Sequence, residues 1–80
     1  MVNKIKPDKI LDTLRFYCPE PVFRTRHELD NLDVGQILEL IADDPAAEAD
    51  ISSLVKNIGQ ELLEIINDKE EIHFFIKKIK

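Results

Sequence analysis

The sequence predicts an α+β protein: a two-layer α/β sandwich in the order β-α-β-α-β-β, with a mixed four-stranded sheet carrying two helices on one face. Three observations lead there. Between Gln36 and Ala42, Leu38, Leu40 and Ala42 alternate with Ile37, Glu39 and Ile41, as in a strand. Ala47, Ile51, Leu54, Val55 and Ile58 recur at helical spacing. Two more apolar runs, residues 61–66 and 72–79, flank Asn67-Asp68-Lys69-Glu70, a four-residue turn that makes them an antiparallel hairpin. Two helices that are apolar on one side need a sheet to cover, and right-handed crossovers put both on the same face. The opposite face is then open, and Ile37 and Ile41 on it require a partner or a local explanation.

In chain order, residues 1–8 read as a short lead-in. A first strand is expected over residues 10–16, where Ile10, Leu14 and Phe16 alternate with Leu11, Thr13 and Arg15 and Asp12 intrudes. The first helix begins at Pro19 or Pro21 and runs to Leu32. Val22, Leu29 and Leu32 form its inner stripe, and Arg24, His27, Glu28 and Asn31 suit its wet face. Gly35 supplies a stop that tolerates positive φ. Asp44, before Pro45, is a natural N-cap for the second helix, with Asp50 as a second candidate. Gly59 stands where that helix needs its C-terminal cap.

Eighty residues make one domain, taken here as residues 1–80 with a core over about 9–79, close to the smallest size that one core stabilises without staples. A hydrophobic share of 44% beside 34% charged residues excludes a disordered chain. A net charge of −5 argues against direct nucleic-acid binding, which draws its affinity from Lys and Arg. No apolar run approaches a membrane span, and the first residues are too polar for a signal peptide. One cysteine forms no internal disulfide and no thiolate metal cluster, so a reducing, cytoplasmic setting is expected. No cofactor and no metal is implied, and a monomer is expected.

That cysteine sits in Cys18-Pro19-Glu20-Pro21, where the strand pattern gives way to the helix. Proline fixes φ and lacks the N–H that a first turn leaves unpaired, and it pushes the preceding residue out of αR. Either Cys18 caps a helix starting at Pro19, or Glu20 caps one starting at Pro21. Both put the sulfur within about a turn of a helix N-terminus, where macrodipole and free amides favour a thiolate over an inert buried thiol.

Cys18-Pro19-Glu20-Pro21, Gly35, Asp43-Asp44-Pro45-Ala46, Asp50-Ile51, Gly59, Glu61-Leu62-Leu63 and Phe74-x-Ile76-x-Lys78 together resemble the TusA/SirA-like family of small sulfur-carrier proteins, over about residues 11–78. The resemblance implies the same sandwich. It also implies a sulfurtransferase-type carrier that accepts sulfane sulfur as a persulfide on Cys18 and relays it to an acceptor protein, as in tRNA thiolation or another sulfur pathway. The partners implied are a cysteine desulfurase or other persulfide donor and a downstream sulfur acceptor. Cys18 matches the sulfur-carrying cysteine, Pro19 and Pro21 the prolines that shape its helix, and Arg26 and Asp44 positions that dock the donor. Three residues depart from the family pattern: Arg15 where Gly is usual, Tyr17 where a basic residue is common, and Gln60 where His is frequent. Arg15 and Tyr17 bear on which partner fits.

Other chemistries fare worse. His27 lies nine residues beyond Cys18, about 13.5 Å along a helix and on its opposite side, so a Cys–His hydrolase lacks its base. No metal-ligand spacing is visible around Cys18, the histidines or Asp43 and Asp44. Asp43 and Asp44 also suit plain strand-end and cap roles, and Arg24 and Arg26 either a solvated helix face or a positive surround for the motif. Phe23 suits the core or a partner contact. The competing function is a non-catalytic interaction or regulatory module on the same fold, in which Cys18 only helps to start the helix.

Overall fold

The computed structural model describes residues 5–16 and 20–80. Its elements are β1 (Lys9–Asp12), α1 (Glu20–Asn31), β2 (Ile37–Ala42), α2 (Ala47–Ile58), β3 (Glu61–Asp68) and β4 (Glu71–Lys77). They form the expected α+β sandwich, two helices against one mixed sheet of strand order β1-β2-β4-β3. β1 and β2 are parallel, and β4 is antiparallel to both β2 and β3. β2 and β3 therefore run in the same direction with β4 between them, a split β-α-β unit crossed by α2.

The inner face follows from β2. Leu38, Leu40 and Ala42 are fully buried, while Ile37, Glu39 and Ile41 on the other side are half-buried. Register carries this alternation across the sheet, setting Leu40 opposite Phe74 and Leu38 opposite Ile76. Leu29 and Leu32 at the end of α1 and Ala47, Ile51 and Val55 of α2 complete one core with these residues. In β3 strict alternation would turn Ile65 away from the face that Leu62 occupies. A bulge between Leu62 and Glu64 resets the phase, so that Leu62 pairs with Ile76, Ile65 pairs with Phe74, and both pack on the core.

Three boundaries differ from expectation. β1 stops at Asp12 instead of running to Phe16, because Asp12 Oδ1 accepts the Leu14 N–H at 2.9 Å and turns the chain. Leu11 is its inward residue, followed just beyond the strand by the buried Thr13, and Ile10 is exposed. The hairpin zips to a two-residue turn, Lys69-Glu70, with Asp68 paired to Glu71; Lys69 takes the positive φ (57°) that such turns demand. The α-helix α2 begins at Ala47, and neither Asp44 nor Asp50 is its N-cap residue. Asp44 instead caps a lead-in turn: its Oδ1 accepts the Ala46 N–H at 3.0 Å and its carbonyl the Ala47 N–H at 2.9 Å.

The far ends of both helices are closed. Gly59, at φ 77°, ends α2 in a Schellman arrangement: its N–H donates to the Lys56 carbonyl at 3.3 Å, and that of Gln60 to Val55 at 3.0 Å. α1 has no basic residue in its last turn. Lys78 supplies one from beyond β4, its Nζ donating to the carbonyls of Leu32 at 2.7 Å and Asp30 at 3.4 Å. The sheet's outer face is less open than expected. Phe75 there is only 4% exposed, and Ile5 of the lead-in lines a cleft of about 460 Å³ with Phe75, Glu39, Ile66 and His73. Ile5 thus lies beside Phe75 and Ile66, while Ile37 and Ile41 stay half-buried.

Candidate functional site

The site grows from the carboxyl ends of the parallel strands β1 and β2, where α/β sheets gather their functional loops. Thr13 follows β1 and is fully buried, with both its N–H and its hydroxyl donating to the Ile41 carbonyl at 2.8 and 2.7 Å. A turn then spans Thr13 to Phe16, closed by the Phe16 N–H on the Thr13 carbonyl at 3.1 Å. Its third residue, Arg15, has φ 73°, the conformation a type II turn assigns to glycine. Its N–H donates to both carboxylate oxygens of Asp43, at 3.2 and 3.3 Å. The glycine that the resemblance leads one to expect here would have a backbone reason, and this chain meets the same φ with an arginine tied to the end of β2.

On the helix side Glu20 is already helical, so α1 starts before Pro21 and Glu20 is not its cap. Tyr17, Cys18 and Pro19 lie outside the described residues. Pro21 is buried, and its carbonyl accepts the buried Thr25 hydroxyl at 2.6 Å. Arg24 touches both flanks of the three-residue segment. Its Nε pairs with Glu20 Oε1 at 3.2 Å, and its guanidinium lies over the Phe16 ring, 4.2 Å from the centroid. One turn along, Phe23 is 62% exposed. It belongs to the surface, not the core, and lines a shallow cleft with Leu11, Arg24, His27 and Glu28. Glu28, expected on the wet face, is mostly covered and pairs with Lys9 at 3.0 Å.

Of the expected site residues, Glu20 and Pro21 open α1, Arg26 is exposed on that helix, and Asp44 is half-buried in the turn before α2. Both histidines are engaged elsewhere. His27 Nε2 meets Asn31 Nδ2 at 3.3 Å, and His73 lies between Glu39 (2.7 Å) and Glu71 (3.3 Å). Among the described residues no group of three or more His, Cys, Asp or Glu side chains is placed to hold a metal. No helix among them is long and apolar enough to cross a membrane.

Sequence reasoning missed two contacts that shape the site: the Asp43 carboxylate on Arg15, and Arg24 on Phe16. Neither had a signal: the i,i+4 spacing of Glu20 and Arg24 announces their ion pair but not the ring of Phe16, which lies before the helix. The partners of the first stand 28 residues apart.

Residues 9–78 match the family model described as sulfurtransferase TusA. A putative sulfur carrier protein of Archaeoglobus fulgidus is 49% identical over 71 residues, 89% of this chain and 92% of its own length. The putative sulfur carrier protein YrkI of Bacillus subtilis is 38% identical, over 92% of this chain and 99% of its own. The sulfur carrier protein TusA of Allochromatium vinosum is 37% identical, over 89% and 93%. In structure the chain is similar to a SirA-like protein of Desulfitobacterium hafniense, with a TM-score of 0.79 over 90% of this chain and 99% of that one, at 22% identity.

Proposed function

The chain belongs to the TusA family of sulfur carriers, and on that premise we propose that it carries sulfur as a persulfide on Cys18, passing it from a donor protein to an acceptor protein. The observation that carries this reading is the Cys18-Pro19-Glu20-Pro21 motif inside a family match that spans residues 9–78. The Cys18 thiolate attacks the terminal sulfur of a donor persulfide. The donor's S–S bond breaks, its thiolate leaves, and a new S–S bond forms on Cys18 with no net oxidation or reduction. Attack by an acceptor thiolate repeats the exchange and frees Cys18. A cysteine desulfurase suits the donor role, because its product is itself a cysteine persulfide. With one cysteine in the chain, no resolving thiol diverts the sulfur into an internal disulfide. The protein acts in this reading as a single cytoplasmic domain.

Arg26 and Asp44 dock the donor, with the exposed Phe23 offering an apolar contact about one turn from Arg26 on α1. Aromatic and Arg side chains are the types that concentrate binding energy at interfaces. The test is intact-mass measurement after incubation with a cysteine desulfurase and free cysteine. The protein is expected to gain the mass of one sulfur atom, lose it to reductant, and gain none as Cys18→Ser. No gain with any desulfurase tried, together with a Cys18→Ser protein fully competent in cells, would leave the interaction-module function in its place.

A further inference from the structure

We propose that Asp43 is a positioning residue for sulfur transfer, holding Arg15 in its left-handed conformation so that the turn delivers the chain correctly to Cys18. This rests on the carrier role of Cys18. Arg15 is three residues before the cysteine, and its φ of 73° is one that an L side chain resists. A glycine would adopt it unaided. An arginine must be held there, and Asp43 is placed to do so, its half-buried carboxylate accepting the Arg15 N–H through both oxygens. The anchor is rigid, because Asp43 directly follows Ala42, the last residue of β2, whose register partner is Ile72 in β4. The effect reaches the cysteine through the next residue: Phe16 closes the turn and receives the Arg24 guanidinium, so releasing Arg15 disturbs both contacts beside residues 17–19.

A double-mutant cycle on the full-length protein tests this with Asp43→Ala, Asp43→Asn, Arg15→Gly and the Asp43→Ala/Arg15→Gly pair. Two rates are read: alkylation of Cys18 by iodoacetamide near neutral pH, and sulfur loading by a cysteine desulfurase. Thermal melts report folding. Asp43→Ala is expected to slow loading about tenfold, less than the roughly hundredfold that a 1 Å misplacement can cost, and to slow alkylation as the surroundings of the thiol change. Asp43→Asn keeps an acceptor oxygen and recovers most of the rate. In the Arg15→Gly background, Asp43→Ala costs no more than about twofold, because glycine needs no holding. An equal cost in both backgrounds would overturn the proposal and place Asp43 on the donor's docking surface. So would an Asp43→Ala protein that matches the parent in both rates. If Asp43→Ala fails to fold, Asp43→Asn and the pair decide on the same criteria. A parent that takes up no sulfur refutes the carrier reading instead, and alkylation alone still judges the role of Asp43.

Discussion

Replacing Lys78 with Met removes one charge and leaves an unbranched stem of similar reach. In the parent, Nζ donates to the Leu32 carbonyl at 2.7 Å and more weakly to that of Asp30 at 3.4 Å, closing the end of a helix that has no basic residue in its own last turn. A hydrogen bond from a charged donor is worth about 1.5–3 kcal/mol net. Lys78 is only half-buried, so the lower end applies; the helix macrodipole adds about 0.3–1 kcal/mol within the same contact. The expected loss is about 1–2 kcal/mol. At about 4–8 °C per kcal/mol for a domain of this size, that corresponds to roughly 4–16 °C in Tm. Urea unfolding followed by circular dichroism measures it as a shift in midpoint at unchanged slope. Lys77→Met is the control, because it removes the same charge from the neighbouring strand position and is expected to change stability by under about 0.5 kcal/mol. Equal losses in the two variants would mean that net charge, not the cap on α1, sets the effect.

Pro21→Ala removes part of a buried ring and relaxes the unfolded chain. With about 0.8 kcal/mol per lost methylene and a further 0.4–1 kcal/mol of unfolded-state entropy, the cost is about 2 kcal/mol, measured by the same unfolding curve. Sulfur loading is expected to fall further than stability alone explains, and an unchanged loading rate in the folded variant would reduce Pro21 to packing. Arg24→Lys keeps the charge but loses the planar stack on Phe16, so it is expected to lower stability by under about 1 kcal/mol. Its loading rate should fall toward that of Arg24→Met. Loading by Arg24→Lys at the parent's rate would show that charge alone matters at this position.

Much of this fold is written locally. β2 and α2 follow directly from alternation and from helical spacing, because each buries one clean face. What the sequence hid depends on contacts between distant segments or on strained single residues. The two-residue hairpin carries Lys69 at positive φ in place of the Asn or Gly that would have announced it. The Leu63 bulge shows only once β4 fixes which of Leu62 and Ile65 must face inward. In the candidate site the motif residues are legible, and so is the oddity of Arg15 where glycine is usual. Its remedy, Asp43, comes from the other end of a crossover. Gln60 is another departure with a structural role: its Oε1 accepts the N–H groups of Ile79 and Lys80 at 2.8 and 3.3 Å, tying the chain after β4 to the start of β3.

The place of β4 has a consequence for synthesis. This strand leaves the ribosome after β3 but lies between β3 and β2. Until it emerges, β3 has no strand to pair with, only the β1–β2 pair of the sheet is complete, and the core lacks Phe74 and Ile76, two of its fully buried side chains. Partial products therefore hold at most the β1–β2 part of the sheet and expose unpaired edges to other chains. A chain ended before Glu71 is expected to remain unfolded and open to proteases.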